Sequence, residues 1–427
     1  MKYLKLKLVK ILWLTNSLFP EVYAKLNMKA PVTVGWVNSA AKALLKQNPS
    51  ISLGVASFYK GKVFQEIEID RITHYLIPEA IRATLHTDRD DHLWRTVKAK
   101  FSPDVVHIHG SEYLHSYAFV RACGAERVVV SIQGLVSVYE RYYYGSIDFM
   151  ELLKSTTIRD LLRLDTLFSQ HRNMAERGNY EQLLIRKVGH VIGRTSWDRD
   201  HTWAINSDAR YHFCNETLRP SFYKHRWSLE NCDPCRIFVS QAHYPIKGLH
   251  QLIKALPFVL KHYPNTKVYV AGNNFFKNKG IRISGFGNYI NKLIKKLDLE
   301  DKVVFTGLLS EQEMCEQFLK SNVFVCPSAI ENSPNSVGEA QLLGVPCIAS
   351  YVGGTADLVE NGKSGLLYRF EEVEMLAANI CRLFSDKNLA QKLSEEEKLV
   401  AMERHHEINN AIELGSIYSQ IICQKSQ

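Results

Sequence analysis

The stretch that decides the fold is Pro327–Leu367, which reads PSAIENSPNSVGEAQLLGVPCIASYVGGTADLVENGKSGLL. It follows Val323–Cys326, a short apolar run bounded by turn residues, which is typical of a buried parallel strand. Pro334 then predicts a helix that begins near Asn335, because proline is favoured at helix starts. Another apolar run, Pro346–Ala349, predicts a second strand. Strand, helix and strand in this order form the repeating unit of a parallel α/β sheet.

The same alternation runs through both halves of the chain. The predicted strands are Val9–Leu14, Ser52–Ser57, Asp104–Ile108, Val128–Ile132, His190–Ile192, Ile237–Ser240, Lys267–Ala271, Lys302–Phe305, Val323–Cys326 and Pro346–Ala349. Helical periodicity lies between them, as in His250–Tyr263 and Asn291–Leu299. A chain of 427 residues exceeds one hydrophobic core. The pattern therefore predicts two doubly wound, Rossmann-like α/β domains.

A polar, proline-containing stretch, Ser228–Pro234, precedes a new strand and marks the predicted domain boundary. We expect an N-terminal domain at residues 1–228 and a C-terminal domain at residues 229–405. A last helix is predicted at Asn409–Ile422, in a third segment at residues 406–427. The helical region Asp148–Lys187 interrupts the first half's rhythm; solvated helices are favoured there over a basic amphipathic surface on anionic lipid.

Charge is divided unequally along the chain. Residues 1–225 hold 31 basic and 22 acidic residues, whereas residues 226–427 hold 22 of each. The first half therefore favours an anionic partner. Nine scattered cysteines indicate a reducing compartment, and the lysines of the first ten residues leave an apolar run too short for a secretory signal. With no 20-residue apolar span, we expect a cytoplasmic protein, with peripheral contact at the inner face of the plasma membrane left open.

Chemistry concentrates around the predicted helix of the C-terminal half. Glu331 lies in the loop before it and Glu339 about one turn inside it. The first backbone N–H groups of a helix, here those of Asn335 and Ser336, are suited to binding phosphate. One carboxylate can accept hydrogen bonds from sugar hydroxyls, and the other can hold a ribose diol. Gly353-Gly354 after the next strand permits close backbone approach.

This series closely resembles the nucleotide-sugar signature of retaining GT-B glycosyltransferases of family 4, the glycosyl transferases group 1. The E-x7-E pair, the GVPCIAS strand, the Gly-Gly turn and the ENGKSGLL hairpin occur in the family's order. The resemblance implies that Glu331 contacts the donor sugar and that Glu339 binds the ribose. It also implies that Lys247, in PIKG, neutralises the departing diphosphate. His109, at the end of VVHIH, resembles the family's histidine that faces the donor, and His107 reads as structural.

The resemblance implies a GT-B fold, with its two domains facing across a cleft, and metal-independent hexosyl transfer without a cofactor. A nucleoside diphosphate sugar, with UDP- or GDP-sugars favoured, would be the donor. The acceptor would be a glycan or lipid-linked glycan of a cell-envelope polysaccharide (capsule, O-antigen or exopolysaccharide). One departure from the family stands out: its usual arginine five positions before Lys247 is Ala242, and Arg194 is a candidate substitute.

Other functional classes match less of the sequence. A degenerate protein that binds nucleotide sugars without turnover stays open because of Ala242. A dinucleotide-dependent oxidoreductase needs GxGxxG directly after a strand, and Gly285-Phe-Gly287 lacks the third glycine. No nucleic-acid motif accompanies the diffuse basic charge. The DRD triplets Asp88–Asp90 and Asp198–Asp200 read as solvated or capping acids rather than metal ligands, and Cys232-Asp-Pro-Cys235 lacks two further zinc ligands.

Overall fold

A computed structural model describes residues 8–29, 36–80, 88, 91–272, 274 and 282–424. The chain divides into two compact units. Unit 1 comprises Met1–Ser137, Glu176–Thr217 and His405–Gln427, and unit 2 comprises Val138–Ala175 and Leu218–Arg404. The predicted division at residues 228/229 and 405/406 differs from these units chiefly in Val138–Ala175, which is grouped with unit 2.

Unit 1 is built on an eight-stranded sheet. Its strands are β1 Val9–Thr15, β2 Ile51–Tyr59, β3 Gln65–Ile69, β4 Ile72–Pro78, β5 Val105–His109, β6 Val128–Ser131, β7 His190–Gly193 and β8 Arg210–Phe213. They lie in the order β3-β4-β2-β1-β5-β6-β7-β8. All neighbouring pairs are parallel except β3 and β4, which are antiparallel. Helices cover the sheet, so β1 and β5 are buried along most of their length.

The helices of unit 1 are Pro20–Lys25, Trp36–Gln47, Asp91–Phe101, Leu114–Cys123, Ser196–Ile205 and Glu407–Cys423. The last of these joins the core of unit 1 through Leu414, Ile417, Tyr418 and Ile421, which pack with Ile11 and Val105 of the sheet. Two helices, Val136–Tyr139 and Leu167–Ile185, contain points at which the chain passes between units.

Unit 2 contains a six-stranded sheet in which every strand pair is parallel. Its strands are β9 Arg236–Val239, β10 Lys267–Ala271, β11 Val303–Gly307, β12 Val323–Cys326, β13 Cys347–Ser350 and β14 Leu366–Tyr368. Their order is β11-β10-β9-β12-β13-β14. The chain winds outward in one direction from β9 and in the other from β12. This is the doubly wound order, and it confirms the fold class predicted from the sequence.

The α-helices of unit 2 are Phe149–Ser155, Ile158–Leu162, Leu249–Leu260, Gly285–Lys296, Glu311–Leu319, Asn335–Leu343, Thr355–Leu358, Val373–Ser385 and Lys387–Arg404. Short 3₁₀ helices occupy Glu140–Tyr142, Pro220–Tyr223 and Pro245–Lys247. The core between sheet and helices includes Leu152 and Leu167, which explains why Val138–Ala175 is grouped here. Among the described residues, no helix combines the length and the apolar character that a bilayer crossing requires.

Candidate active site

The sheet of unit 2 brings two distant loops together at its carboxyl edge. β9 and β12 are neighbours, with Phe238 beside Phe324, and the sheet order reverses between them. Loops that leave such a switch point diverge and open a crevice where α/β proteins bind ligands. Lys247 follows β9 and Glu331 follows β12, so the two predicted site residues enter the same crevice from adjacent strands.

Lys247 and Glu331 form an ion pair in this crevice. Lys247 Nζ donates to Glu331 Oε1 at 2.6 Å, and Ser328 Oγ donates to the same oxygen at 2.7 Å. The side chains are 23% and 9% exposed, respectively. Burial acts to lower the pKa of Lys247, but the charge and hydrogen bond of Glu331 outweigh it and raise the pKa above its ordinary value. Lys247 is therefore a fixed cation at neutral pH.

Glycines allow the loops around this pair to touch. Gly248 has φ +68°, and a Cβ added there would lie 1.6 Å from the carbonyl oxygen of Pro327. Gly353 has φ +51°, and its Cβ would lie 1.9 Å from the carbonyl oxygen of Glu331. Gly354 N–H donates to that same carbonyl at 3.0 Å. A side chain at either glycine would separate the loops, so the predicted Gly-Gly turn holds the backbone of Glu331 in place.

The helix Asn335–Leu343 begins directly after the Glu331 loop. Its N-cap is Pro334, which provides no side-chain cap for the first N–H groups. The carbonyl of Pro334 accepts from the N–H of Val337 at 2.9 Å, and Asn335 and Ser336 are half-buried. The first turn of a helix carries partial positive charge, and its first N–H groups have no acceptor within the helix, which suits it to an anion.

Glu339 is held by an arginine that the sequence analysis did not identify. Arg219 donates from Nε to Glu339 Oε1 at 2.6 Å and from Nη2 to Oε2 at 2.7 Å. Burial raises the pKa of Glu339, and the Arg219 guanidinium opposes this shift without cancelling it. Each carboxylate oxygen keeps a lone pair beyond the one that Arg219 uses. Glu339 is thus oriented by Arg219 and still able to accept hydrogen bonds.

His109 lies in unit 1. It ends β5, its ring centroid lies 4.4 Å from that of Trp13, and burial lowers its pKa to about 3. It is therefore neutral at physiological pH. With Ser131, Arg194 and Glu216 it lines a cavity of about 50 Å³ at the carboxyl edge of the sheet.

His107 occupies a buried hydrogen-bond network instead. Its Nδ1 lies 2.6 Å from Tyr418 Oη and its Nε2 lies 2.5 Å from Ser131 Oγ. Tyr418 Oη also accepts from Trp13 Nε1 at 2.8 Å. Both ring nitrogens are thus engaged within the core, which agrees with the structural role expected for His107.

Three further positions from the sequence analysis are Arg194, Ala242 and the stretch Gly285–Gly287. Arg194 Nη1 donates to Glu216 Oε2 at 2.6 Å inside unit 1, so its charge is partnered there. Ala242, at the position of the family's arginine, is buried in the core of unit 2. Gly285 and Gly287 lie in the first turn of the helix Gly285–Lys296 rather than directly after a strand.

The acidic triplets and the cysteines do not assemble a metal site in the described residues. Asp198 caps the helix Ser196–Ile205, where its carboxylate and the Thr195 hydroxyl form a capping box, so the capping interpretation is confirmed for it. Of the other triplet only Asp88 is described, since residues 89 and 90 lie outside the described ranges. Cys232 and Cys235 are both free thiols.

The part of the chain that contains this crevice matches a known protein family. Residues 224–400 match the family model described as Glycosyl transferases group 1. The putative glycosyltransferase YtcC of Bacillus subtilis is 25% identical over 185 residues, which cover 43% of this chain and 44% of that protein. The chain thus matches less than half the length of this curated relative.

Solved structures resemble the chain over nearly its whole length. Sucrose-phosphate synthase from Thermosynechococcus elongatus has a TM-score of 0.70 at 15% identity, covering 97% of this chain and 99% of that one. HepE of Anabaena, solved in complex with UDP and glucose, has a TM-score of 0.62 at 16% identity, covering 96% and 100%. These likenesses show that the chain has the GT-B fold.

Proposed function

We propose that this protein is a glycosyltransferase, because residues 224–400 match the family model described as Glycosyl transferases group 1 and the chain has the GT-B fold. It moves a sugar from a nucleoside diphosphate sugar to an acceptor hydroxyl, with retention of the anomeric configuration. One observation carries the proposal. The Lys247–Glu331 pair lies at the switch point of unit 2, and Glu331 belongs to the loop that leads into the helix starting at Asn335.

The donor's diphosphate is the group that this arrangement favours. Amides at Asn335 and Ser336 bind its oxygens, and Lys247 supplies a full positive charge. When the diphosphate takes hydrogen bonds from Lys247, Glu331 Oε1 is released to accept from hydroxyls of the donor sugar. Glu339, oriented by Arg219, accepts from the ribose diol. Binding of the donor thus exchanges an internal ion pair for contacts with the ligand.

Leaving-group stabilisation is the chemical task of these groups. As the bond between the anomeric carbon and the diphosphate oxygen breaks, negative charge grows on the diphosphate. Lys247 and the helix amides are preorganised where that charge develops. In the retaining course implied by the family resemblance, the acceptor oxygen bonds to the anomeric carbon on the face that the diphosphate leaves, and the leaving phosphate takes the acceptor's proton. These groups support a transfer that needs no metal, which addition of EDTA tests.

The acceptor is proposed from the charge of residues 1–225 and from the family resemblance. The excess of nine positive charges in residues 1–225 favours an anionic or phosphorylated acceptor. We propose a glycan or lipid-linked glycan of the cell envelope. His109, neutral because of its burial, acts in this proposal as a hydrogen-bonding group rather than as a cationic acid.

A second candidate is a protein that binds nucleotide sugars without turnover. It is favoured by one observation, the buried Ala242 at the position of the family's arginine. The two candidates share a ligand and differ in product release.

A thermal-shift screen against UDP-, GDP-, ADP- and CMP-sugars, with and without magnesium, identifies the donor. Release of nucleoside diphosphate from that donor is then measured for the wild-type protein and for Glu331→Gln. Stabilisation by a donor together with release that Glu331→Gln abolishes supports the enzyme. Stabilisation without release supports the binding protein, and no stabilisation by any sugar nucleotide contradicts both.

A further inference from the structure

An exposed apolar surface, here called the apolar patch, lies on unit 2 outside the candidate active site. Seven apolar side chains within Phe149–Leu164 are between 44% and 83% exposed. They are Phe149, Met150, Leu153, Ile158, Leu161, Leu162 and Leu164. Isolated exposed leucines are ordinary, whereas seven apolar side chains exposed within sixteen residues form a contiguous stretch typical of an interaction surface.

The segment Phe149–Leu164 is anchored to the core of unit 2, so its exposed side chains form a defined surface. Leu152 and Leu167 are buried in the core of unit 2. Asp148 caps the helix Phe149–Ser155, and Thr157 forms a capping box with Asp160 at the start of Ile158–Leu162. The same short helices thus bury one set of leucines and present another set to solvent.

A neighbouring helix adds positive charge to this surface. The helix Gly285–Lys296 lies beside the patch, because Lys292 Nζ donates to the carbonyl of Lys154 at 2.9 Å and Asn288 donates to that of Ser155 at 3.1 Å. Lys296 is one turn beyond Lys292 and shares its face of the helix.

The exposed basic side chains here are Lys154, Arg163, Lys292, Lys295 and Lys296. The acids nearby are Asp148, Glu151, Asp160, Asp165 and Asp298, of which Asp160 is buried and paired with Arg159 at 2.9 Å. Glu151 lies 3.5 Å from Lys154. The surface around the patch therefore has an excess of positive charge. Most of its exposed basic side chains are lysines.

We propose that the apolar patch and its lysines bind the surface of an anionic lipid bilayer. Leu, Ile and Met account for six of the seven apolar side chains, and they enter the boundary between headgroups and acyl chains. The lysines contact the lipid phosphates. A protein partner fits the composition less well, because interfaces between proteins are depleted of lysine and enriched in aromatic residues, Met and Arg, whereas five of the seven exposed apolar side chains are Leu or Ile. The patch lies within Asp148–Lys187, where the sequence analysis favoured solvated helices over a surface on anionic lipid, and the structure groups it with unit 2.

Cosedimentation of the full chain with large unilamellar vesicles tests the proposal. The vesicles are pure phosphatidylcholine or phosphatidylcholine with 40% phosphatidylglycerol. One variant is Leu161→Ser/Leu162→Ser/Leu164→Ser, and the other is Lys292→Gln/Lys295→Gln/Lys296→Gln. A matched control, Leu399→Ser/Lys387→Gln/Lys392→Gln, changes exposed leucine and lysine side chains elsewhere in unit 2. Thermal unfolding checks that every variant is folded.

The wild-type protein and the control are expected to bind the anionic vesicles and not to bind the neutral ones. Each patch variant is expected to lower the partition coefficient at least tenfold, as is 0.5 M NaCl for the wild-type protein. The proposal is overturned if the wild-type protein does not bind the anionic vesicles. It is also overturned if the control variant loses as much binding as the patch variants. A dimer in light scattering that the leucine variant converts to a monomer, with no vesicle binding, assigns the patch to a second copy and also overturns it.

Discussion

Removing the Lys247–Glu331 pair one charge at a time separates its contributions to folding and to turnover. In Lys247→Met, the Glu331 carboxylate stays buried with only Ser328 as a hydrogen-bond donor to Oε1. Breaking a buried pair in this way costs about 3 kcal/mol of unfolding free energy, near the low end of its usual range because Lys247 keeps 23% exposure. For a unit of this size, the cost corresponds to a Tm that is lower by about 6–12 °C.

The double variant Lys247→Met/Glu331→Gln removes both charges. It should unfold within about 1 kcal/mol of the wild-type protein, because no unpaired charge remains in the crevice. Turnover should fall by about 10²–10³-fold in Lys247→Met and stay low in the double variant, because the developing charge on the diphosphate loses its cation. Thermal unfolding and release of nucleoside diphosphate measure the two effects.

An exposed pair in the same unit provides the control. Lys363 Nζ lies 2.9 Å from Glu360, with side chains 52% and 67% exposed, so Lys363→Met should change neither Tm nor turnover. Equal Tm values for the wild-type protein, Lys247→Met, Glu331→Gln and the double variant would show that the Lys247–Glu331 pair is not buried and coupled. Turnover restored in the double variant would refute the role of Lys247 at the leaving group.

Three further predictions concern residues around the sites and in the core. Arg219→Gln should weaken binding of nucleoside diphosphate about tenfold and leave pyrophosphate binding unchanged in calorimetry, because Glu339 loses its two orienting hydrogen bonds; equal losses for both ligands would contradict a ribose role. Glu397 is fully buried and its pKa is raised from 4.5 to about 8, so the folded state keeps a proton that the unfolded chain releases above pH 4.5. Its contribution to stability is therefore present below pH 4.5 and lost as the pH rises to about 8, by up to ~1.4 kcal/mol per pH unit. Denaturant unfolding of Glu397→Gln should lack this decline, and parallel curves for the two proteins would refute it. His109→Gln should lower turnover at least tenfold without altering the shape of the pH–rate profile between pH 5.5 and 8, because His109 has a pKa of about 3; a limb near pH 6.5 that disappears in the variant would contradict this.

Local sequence patterns predicted the strands and helix starts that are marked by a few neighbouring residues. Most buried strands of both sheets were predicted, because parallel strands covered on both faces read as short apolar runs, but the strands β4, β8 and β14 were not. The helix start at Asn335 followed from Pro334. The meeting of Lys247 and Glu331 required only that β9 and β12 adjoin, which doubly wound order dictates.

Contacts between residues that are far apart in the sequence could not be predicted from these patterns. The Arg219–Glu339 pair joins residues 120 positions apart, and no motif marks Arg219. The strand β3, with sequence QEIEI, alternates polar and apolar residues at the sheet edge and lacks an apolar run. The periodicity of Val138–Ala175 shows that its helices have apolar faces, but not that unit 2 receives them.

The amide hydrogens at the start of the helix Asn335–Leu343 are the groups on which the proposed function most depends. Asn335→Pro deletes one of them at the helix position that proline tolerates best, after Pro334 in an extended conformation that suits it. Asn335→Ala removes the side chain alone. Calorimetric titration with ADP, CDP, GDP and UDP should detect binding of at least one of them, with affinity at least tenfold lower for Asn335→Pro than for Asn335→Ala. Equal affinities for the two variants, or no binding of any nucleotide by the wild-type protein, would contradict diphosphate binding at this helix.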